Sequence, residues 1–135
     1  MAERLKETYE LVAKYINEAR EYLMKGDSVQ ASEKLYKAAE ECVKALAELN
    51  NLDEYRKSRE VGRWSTQRLE NAARSLARIY GDDVYTAWKI AYEKLHVRGF
   101  HEGELKPSDI EEEVNRIEEL LAILVNELEG RHDRY

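Results

Sequence analysis

Two of the three histidines, an arginine and a glutamate fall within nine residues, Leu95-His96-Val97-Arg98-Gly99-Phe100-His101-Glu102-Gly103. These residue types can carry acid–base or anion chemistry. An imidazole titrates near neutrality, so His101 can act as a general acid or base, with Glu102 orienting its ring. Arg98 offers a planar fork that holds a phosphate through two hydrogen bonds. The same letters also read as a helix end. His96 then favours the C-terminal dipole, Gly99 stops the helix, and Phe100 plugs back into the core. His96 and His101 stand five apart across a glycine-containing bend, unlike the four-apart pair of a helical zinc site, so no metal and no cofactor is expected.

A second candidate region lies earlier in the chain. Trp64 follows Arg59 and Arg63 in a stretch without periodicity, where an indole beside guanidinium groups can flank a groove. The competing reading is a hydrophobic staple onto the next helix. Cys42 falls among Ala38, Ala39 and Leu46 on an apolar face and reads as an inert core thiol. The glycines are scattered, and no phosphate-binding loop, dinucleotide fingerprint or Ser-His-Asp spacing is found. The nine tyrosines fall mostly at helical spacing, which reads as packing rather than a base-stacking platform.

Charge is distributed unevenly. The chain has 135 residues, 22 Lys+Arg against 28 Asp+Glu, and a formal net charge of −6, which argues against a general DNA-binding protein. Residues 56–78 nevertheless carry seven basic side chains against two acidic ones, whereas 108–130 carry eight acidic against one basic. Two solvated helix faces of opposite sign, packed near each other, explain this; so does a basic patch that steers one anionic ligand. Two glutamines beside abundant Glu, Lys and Arg match heat-adapted composition. With one cysteine and no apolar run near the roughly 20 residues that span a bilayer, a cytoplasmic protein without membrane attachment is expected.

The elements that must position these residues are helical. Leu5, Tyr9, Val12, Ile16, Ala19 and Leu23 step by four and three, predicting a first helix over about 2–25 that Gly26 stops. Asp27 and Gln30 form a capping box for a second helix, whose inward face runs from Val29 through Leu35, Cys42 and Leu46 to Leu49. The two-residue connection folds these helices into an antiparallel hairpin. Residues 52–64 break the pattern and read as a connection, the mobile part of the chain, with at most a helical turn. A third helix starts at Ser65 or Thr66 and stops at Gly81. A fourth starts at Asp82 or Asp83 and gives way at 97–99. The last begins at Pro107-Ser108, with Ser108 and Glu111 as a second capping box, and ends at Gly130. The expectation is an all-α, antiparallel up-down bundle of four to five helices, one domain over 1–130 with a flexible tail over 131–135. Apolar residues off the main stripes (Leu11, Tyr15, Tyr22, Leu120, Ile123, Val125) suggest a homodimer.

Three stretches resemble a known family. Gly26 through Glu40, reading GDSVQASEKLYKAAE, is similar to the second-helix signature of the archaeal PaREP proteins. Leu95 through Glu102, reading LHVRGFHE, resembles their other hallmark, and Trp64-Ser65 leading into the third helix is also similar. The resemblance spans nearly the whole chain. It implies an antiparallel bundle related to the HEPN-like helical proteins, frequent dimerisation, and a tie to nucleotides or RNA. The HEPN ribonuclease motif separates an Arg from a His by four to six residues. Here only Gly99 and Phe100 separate Arg98 from His101, and Arg131-His132 does not match either.

Three functional readings follow. One is a binding or interaction module that receives a nucleotide, an RNA end or a partner protein near Arg59, Arg63, Trp64, His96, Arg98, His101 and Glu102. Another is a metal-independent ribonuclease in which His101 is the acid/base and Arg98 stabilises the phosphorane charge. A third is a structural oligomer without a ligand. The first is preferred.

Overall fold

The structure is a computed structural model that describes residues 2–133. Among these residues the chain forms six α-helices and one π-helical segment, with no strand. Helices α1 (Ala2–Met24) and α2 (Ser28–Leu49) form the expected hairpin. Gly26 turns the chain with a φ of +77°, and the Asp27 carboxylate accepts from the Gln30 amide at 3.1 Å.

The second helix is the spine. Half of its 22 residues are buried, among them Ala31, Leu35, Ala38, Ala39, Cys42, Val43 and Leu46. A helix that is small and apolar on several sides can be packed on several sides. Accordingly α1, α4, α6 and the π segment all pack against α2. Val12 and Ile16 of α1, Leu69 and Leu76 of α4, and Ile110, Ile117, Leu120 and Leu124 of α6 complete one core.

Residues 52–64 are not a loose connection. Asp53–Val61 form helix α3, with Asp53 and Glu54 in the first turn, where carboxylates favour the dipole, and a left-handed Gly62 closing it. The missing apolar stripe has a physical reason. This nine-residue helix docks through Tyr55 and the buried Ser58, whose hydroxyl accepts from Arg68 Nε at 3.0 Å. Helix α4 (Thr66–Tyr80) starts at Ser65, whose Oγ accepts from the Arg68 amide at 3.1 Å.

The expected fourth helix also differs. It is α-helical only over α5 (Asp83–Lys89) and continues as a π-helix over Ile90–His101. It does not give way at Gly99. Helix α6 (Pro107–Asp133) starts two residues earlier than the expected capping box requires. Pro107 takes the first position and the Lys106 amide donates to the Asp109 carboxylate at 3.0 Å, so Ser108 and Glu111 do not form the cap. The helix runs through Gly130 to Asp133. The flexible tail expected over 131–135 falls partly beyond this helix, on positions outside the described residues.

The surplus apolar residues of α1 and α6 are mostly covered within the chain: Leu120 is buried, and Tyr15, Tyr22 and Ile123 pack against the core, while Leu11 stays exposed. On the acidic face of α6, Glu118 pairs with Arg20, Glu112 and Glu113 with Lys94, and Glu113 also with Arg116.

Candidate functional site

The π segment runs antiparallel to the first half of α2, since Tyr92 meets Tyr36 whereas Gly99 meets Ser32. Gly99 is buried inside this contact, not at a helix stop. A Cβ there would lie 2.2 Å from Ser32 Oγ and 2.7 Å from Ser32 Cβ. Only glycine allows the two backbones so close.

Helix winding decides which side chains meet. In an α-helix, residues five apart point about 140° away from each other at 3.6 residues per turn. In a segment closed by i→i+5 bonds they share a side. His96 and His101 therefore converge, with their Nε2 atoms 3.2 Å apart and their rings at 81°. His96 Nδ1 lies 3.1 Å from Glu33 Oε1, and the Glu33 side chain is only 15% exposed. The Tyr36 ring stacks on the His96 ring at 4.1 Å. Above and below run Trp88, Tyr92 and Phe100 at four-residue steps. The result is a polar chain, Glu33–His96–His101, that begins in a shielded carboxylate and ends on an exposed imidazole.

Other expected members of this group face elsewhere. Arg98 is directed at Glu104, 3.5 Å away, with both side chains about half exposed. Glu102 does not hold His101. It lies against Glu104, whose neighbouring carboxylate pushes the Glu102 carboxyl above its usual range. Glu33 takes the orienting role instead, toward His96. Glu33 is a residue that sequence reasoning missed, although it sits inside the GDSVQASEKLYKAAE stretch. Nothing local marks it, because its partner is 63 residues away.

Arg59 and Trp64 belong to a different place. With Arg4, Thr8, Glu41, Lys44, Glu48 and Tyr55 they line a cleft of about 440 Å³ between α1, α2 and α3. That volume lies within the range of small-ligand sites. Arg4 pairs with Glu48, and Lys44 with Glu40 and Glu41. Arg59 instead donates to the neutral Tyr55 hydroxyl at 3.0 Å. Burial first of all pushes the Glu41 carboxyl up, against the pull of Lys44. Trp64 is half-buried against the core with one side on the cleft, and Arg63 is exposed beside it. Glu33 and Lys44 are eleven residues apart on α2, roughly 16 Å of helix. The histidine pair and the Arg59–Trp64 cleft thus occupy opposite halves of the spine, and the seven expected residues do not converge on one site.

Cys42 is fully buried and its thiol is pushed well above the usual range, first by burial and then by Glu41. No helix among the described residues is long and apolar enough to cross a membrane.

This all-α bundle with its LHVRGFHE segment defines a class. The archaeal PaREP1/PaREP8 family matches residues 7–121, and the chain belongs to that family. Two solved structures are similar to it. One is the crystal structure of a protein from Sulfolobus solfataricus, 38% identical, with a TM-score of 0.78, covering 87% of this chain and 95% of that one. The other is the solution structure of the Orf c02003 protein, also 38% identical, with a TM-score of 0.76, covering 92% and 95%. No curated protein matches.

Proposed function

We propose that this PaREP-family bundle is a non-catalytic, cytoplasmic binding module that receives a nucleotide or an RNA end in the cleft between α1, α2 and α3. The single observation that carries this reading is the state of Arg59. Among the described residues its guanidinium, at the cleft, pairs with the Tyr55 hydroxyl and with no carboxylate, whereas Arg4 and Lys44 there are matched by carboxylates. A guanidinium without a carboxylate partner is free to donate hydrogen bonds to a phosphate. Trp64 offers a half-buried indole face for a base, and stacking of that kind is worth about 1–3 kcal/mol. Arg63, exposed next to it, extends the positive rim.

The ribonuclease reading has less support. Two residues rather than four to six separate Arg98 from His101, and Arg98 is directed at Glu104. The homodimer that the HEPN-like resemblance implies gains little from α1 and α6, whose surplus apolar residues are mostly covered within the chain.

Tryptophan fluorescence tests the binding reading, because Trp88 is buried and Trp64 is the indole at the cleft. Titration with AMP, ATP and a short 5′-phosphorylated RNA should give saturable quenching. Arg59→Glu should weaken it by at least tenfold, about 1.4 kcal/mol. Absence of quenching with all three probes at millimolar concentration, or an Arg59→Glu variant that binds as well as wild type, would overturn the reading. A partner protein would then be the occupant to seek.

A further inference from the structure

The histidine pair lies outside the cleft reading and carries chemistry of its own. Two nitrogens that ligate one tetrahedral zinc ion at 2.0–2.1 Å stand roughly 3.3 Å apart. The Nε2 atoms of His96 and His101 stand 3.2 Å apart. This spacing depends on the π winding, which turns an i, i+5 pair into neighbours. It is the reverse of what five-apart histidines on an α-helix would do.

The surroundings of His96 prepare it further. Its Nδ1 is held by Glu33 Oε1 at 3.1 Å, so the proton belongs on Nδ1 and the lone pair on Nε2, facing His101. A carboxylate behind a ligating imidazole fixes the tautomer and raises ligand basicity. Tyr36, stacked at 4.1 Å, holds the ring plane. His101 is exposed and His96 partly so. Among the described residues no group of three or more His, Cys, Asp or Glu side chains surrounds a common point. Any ion here therefore takes two protein ligands and completes its shell with water.

We infer that His96 and His101 form an open, two-imidazole site for a divalent transition-metal ion of the zinc, nickel or copper class, with Glu33 as its supporting carboxylate. Imidazole nitrogen suits these ions, whereas magnesium and calcium prefer oxygen. The inference is independent of the nucleotide cleft.

Calorimetric titration of the chelator-stripped full chain with Zn²⁺ alone, and separately with Ni²⁺ alone, tests it. One ion should bind per chain. His101→Ala, a change at an exposed position, should abolish that binding while circular dichroism stays unchanged. Glu33→Gln should weaken it by roughly tenfold to a hundredfold. His132→Ala, which removes the remaining histidine, should bind as wild type does. If wild type takes up no ion at millimolar concentration, the pair is a hydrogen bond only and the inference fails. It fails equally if His101→Ala binds like wild type, because the ion then sits on surface carboxylates. Should His101→Ala alter the dichroism, broadening of the His96 and His101 ring resonances by Ni²⁺ in wild type decides the matter, and sharp rings at saturation overturn the inference.

Discussion

Glu33 and Glu41 sit two turns apart on α2 and show how burial gives one residue type two different tasks. Glu33 reaches across to His96 and fixes that ring. Glu41 faces the cleft, where burial disfavours its charged form more than Lys44 favours it. The sign of the pH effect follows. A carboxyl raised in the folded state contributes stability that is complete below its unfolded value, near 4.3–4.5, and is lost as pH rises through the folded value. Glu41→Gln should therefore raise the thermal midpoint at pH 7, and the difference should vanish below about pH 4. Thermal melts of the two proteins across pH 3–8 check this; a variant less stable at pH 7 would contradict it. Lone residues of this kind were hardly legible in the sequence. His96, Arg98 and His101 stood out by type, but their partners are set by folding: Glu33 and Glu104 hold His96 and Arg98, and Glu102 holds neither.

At the scale of elements, strong periodic stripes were readable and their interruptions were not. The stripes of α1, α2, α4 and α6 run close to their observed spans because each buries one continuous apolar face. Helix α3 escaped, since its docking side is Tyr55 and Ser58 rather than a row of aliphatics. The π segment escaped for another reason. Its residues Tyr92, His96 and Phe100 continue from Trp88 of α5 a repeat of four, a step that suits either winding, and Gly99 reads locally as a stop. What makes Gly99 a packing residue is Ser32, sixty-seven positions earlier in the chain. Replacing Gly99 by alanine should cost about 1–3 kcal/mol, the usual penalty for overfilling a close contact. Ser32→Gly in the same chain should restore part of that loss, since it removes the atoms the new methyl meets. Denaturant unfolding of the two single variants and the double variant measures the coupling; strictly additive losses would show that the two positions do not touch.

At the scale of the whole molecule, α2 is a spine with chemically distinct ends. Its N-terminal half supplies Glu33 and Tyr36 to the histidine pair, and its C-terminal half supplies Glu41, Lys44 and Glu48 to the cleft. The all-α class and the antiparallel hairpin were legible because they follow from periodicity and a two-residue turn. The separation of the candidate residues into two places was not, because it depends on how α3 packs against α2 and α4. With the two places separate, an anionic nucleotide belongs at the Arg59–Trp64 end and leaves the imidazole end untouched. Backbone and indole amide shifts, recorded by two-dimensional nuclear magnetic resonance during titration with ATP in the presence of a metal chelator, read both ends at once. Saturable shifts are expected at Tyr55, Arg59, Arg63 and the Trp64 indole, with His96, Arg98 and His101 unmoved. Shifts that gather instead on Arg98 and His101, with the Trp64 indole unchanged, would contradict it.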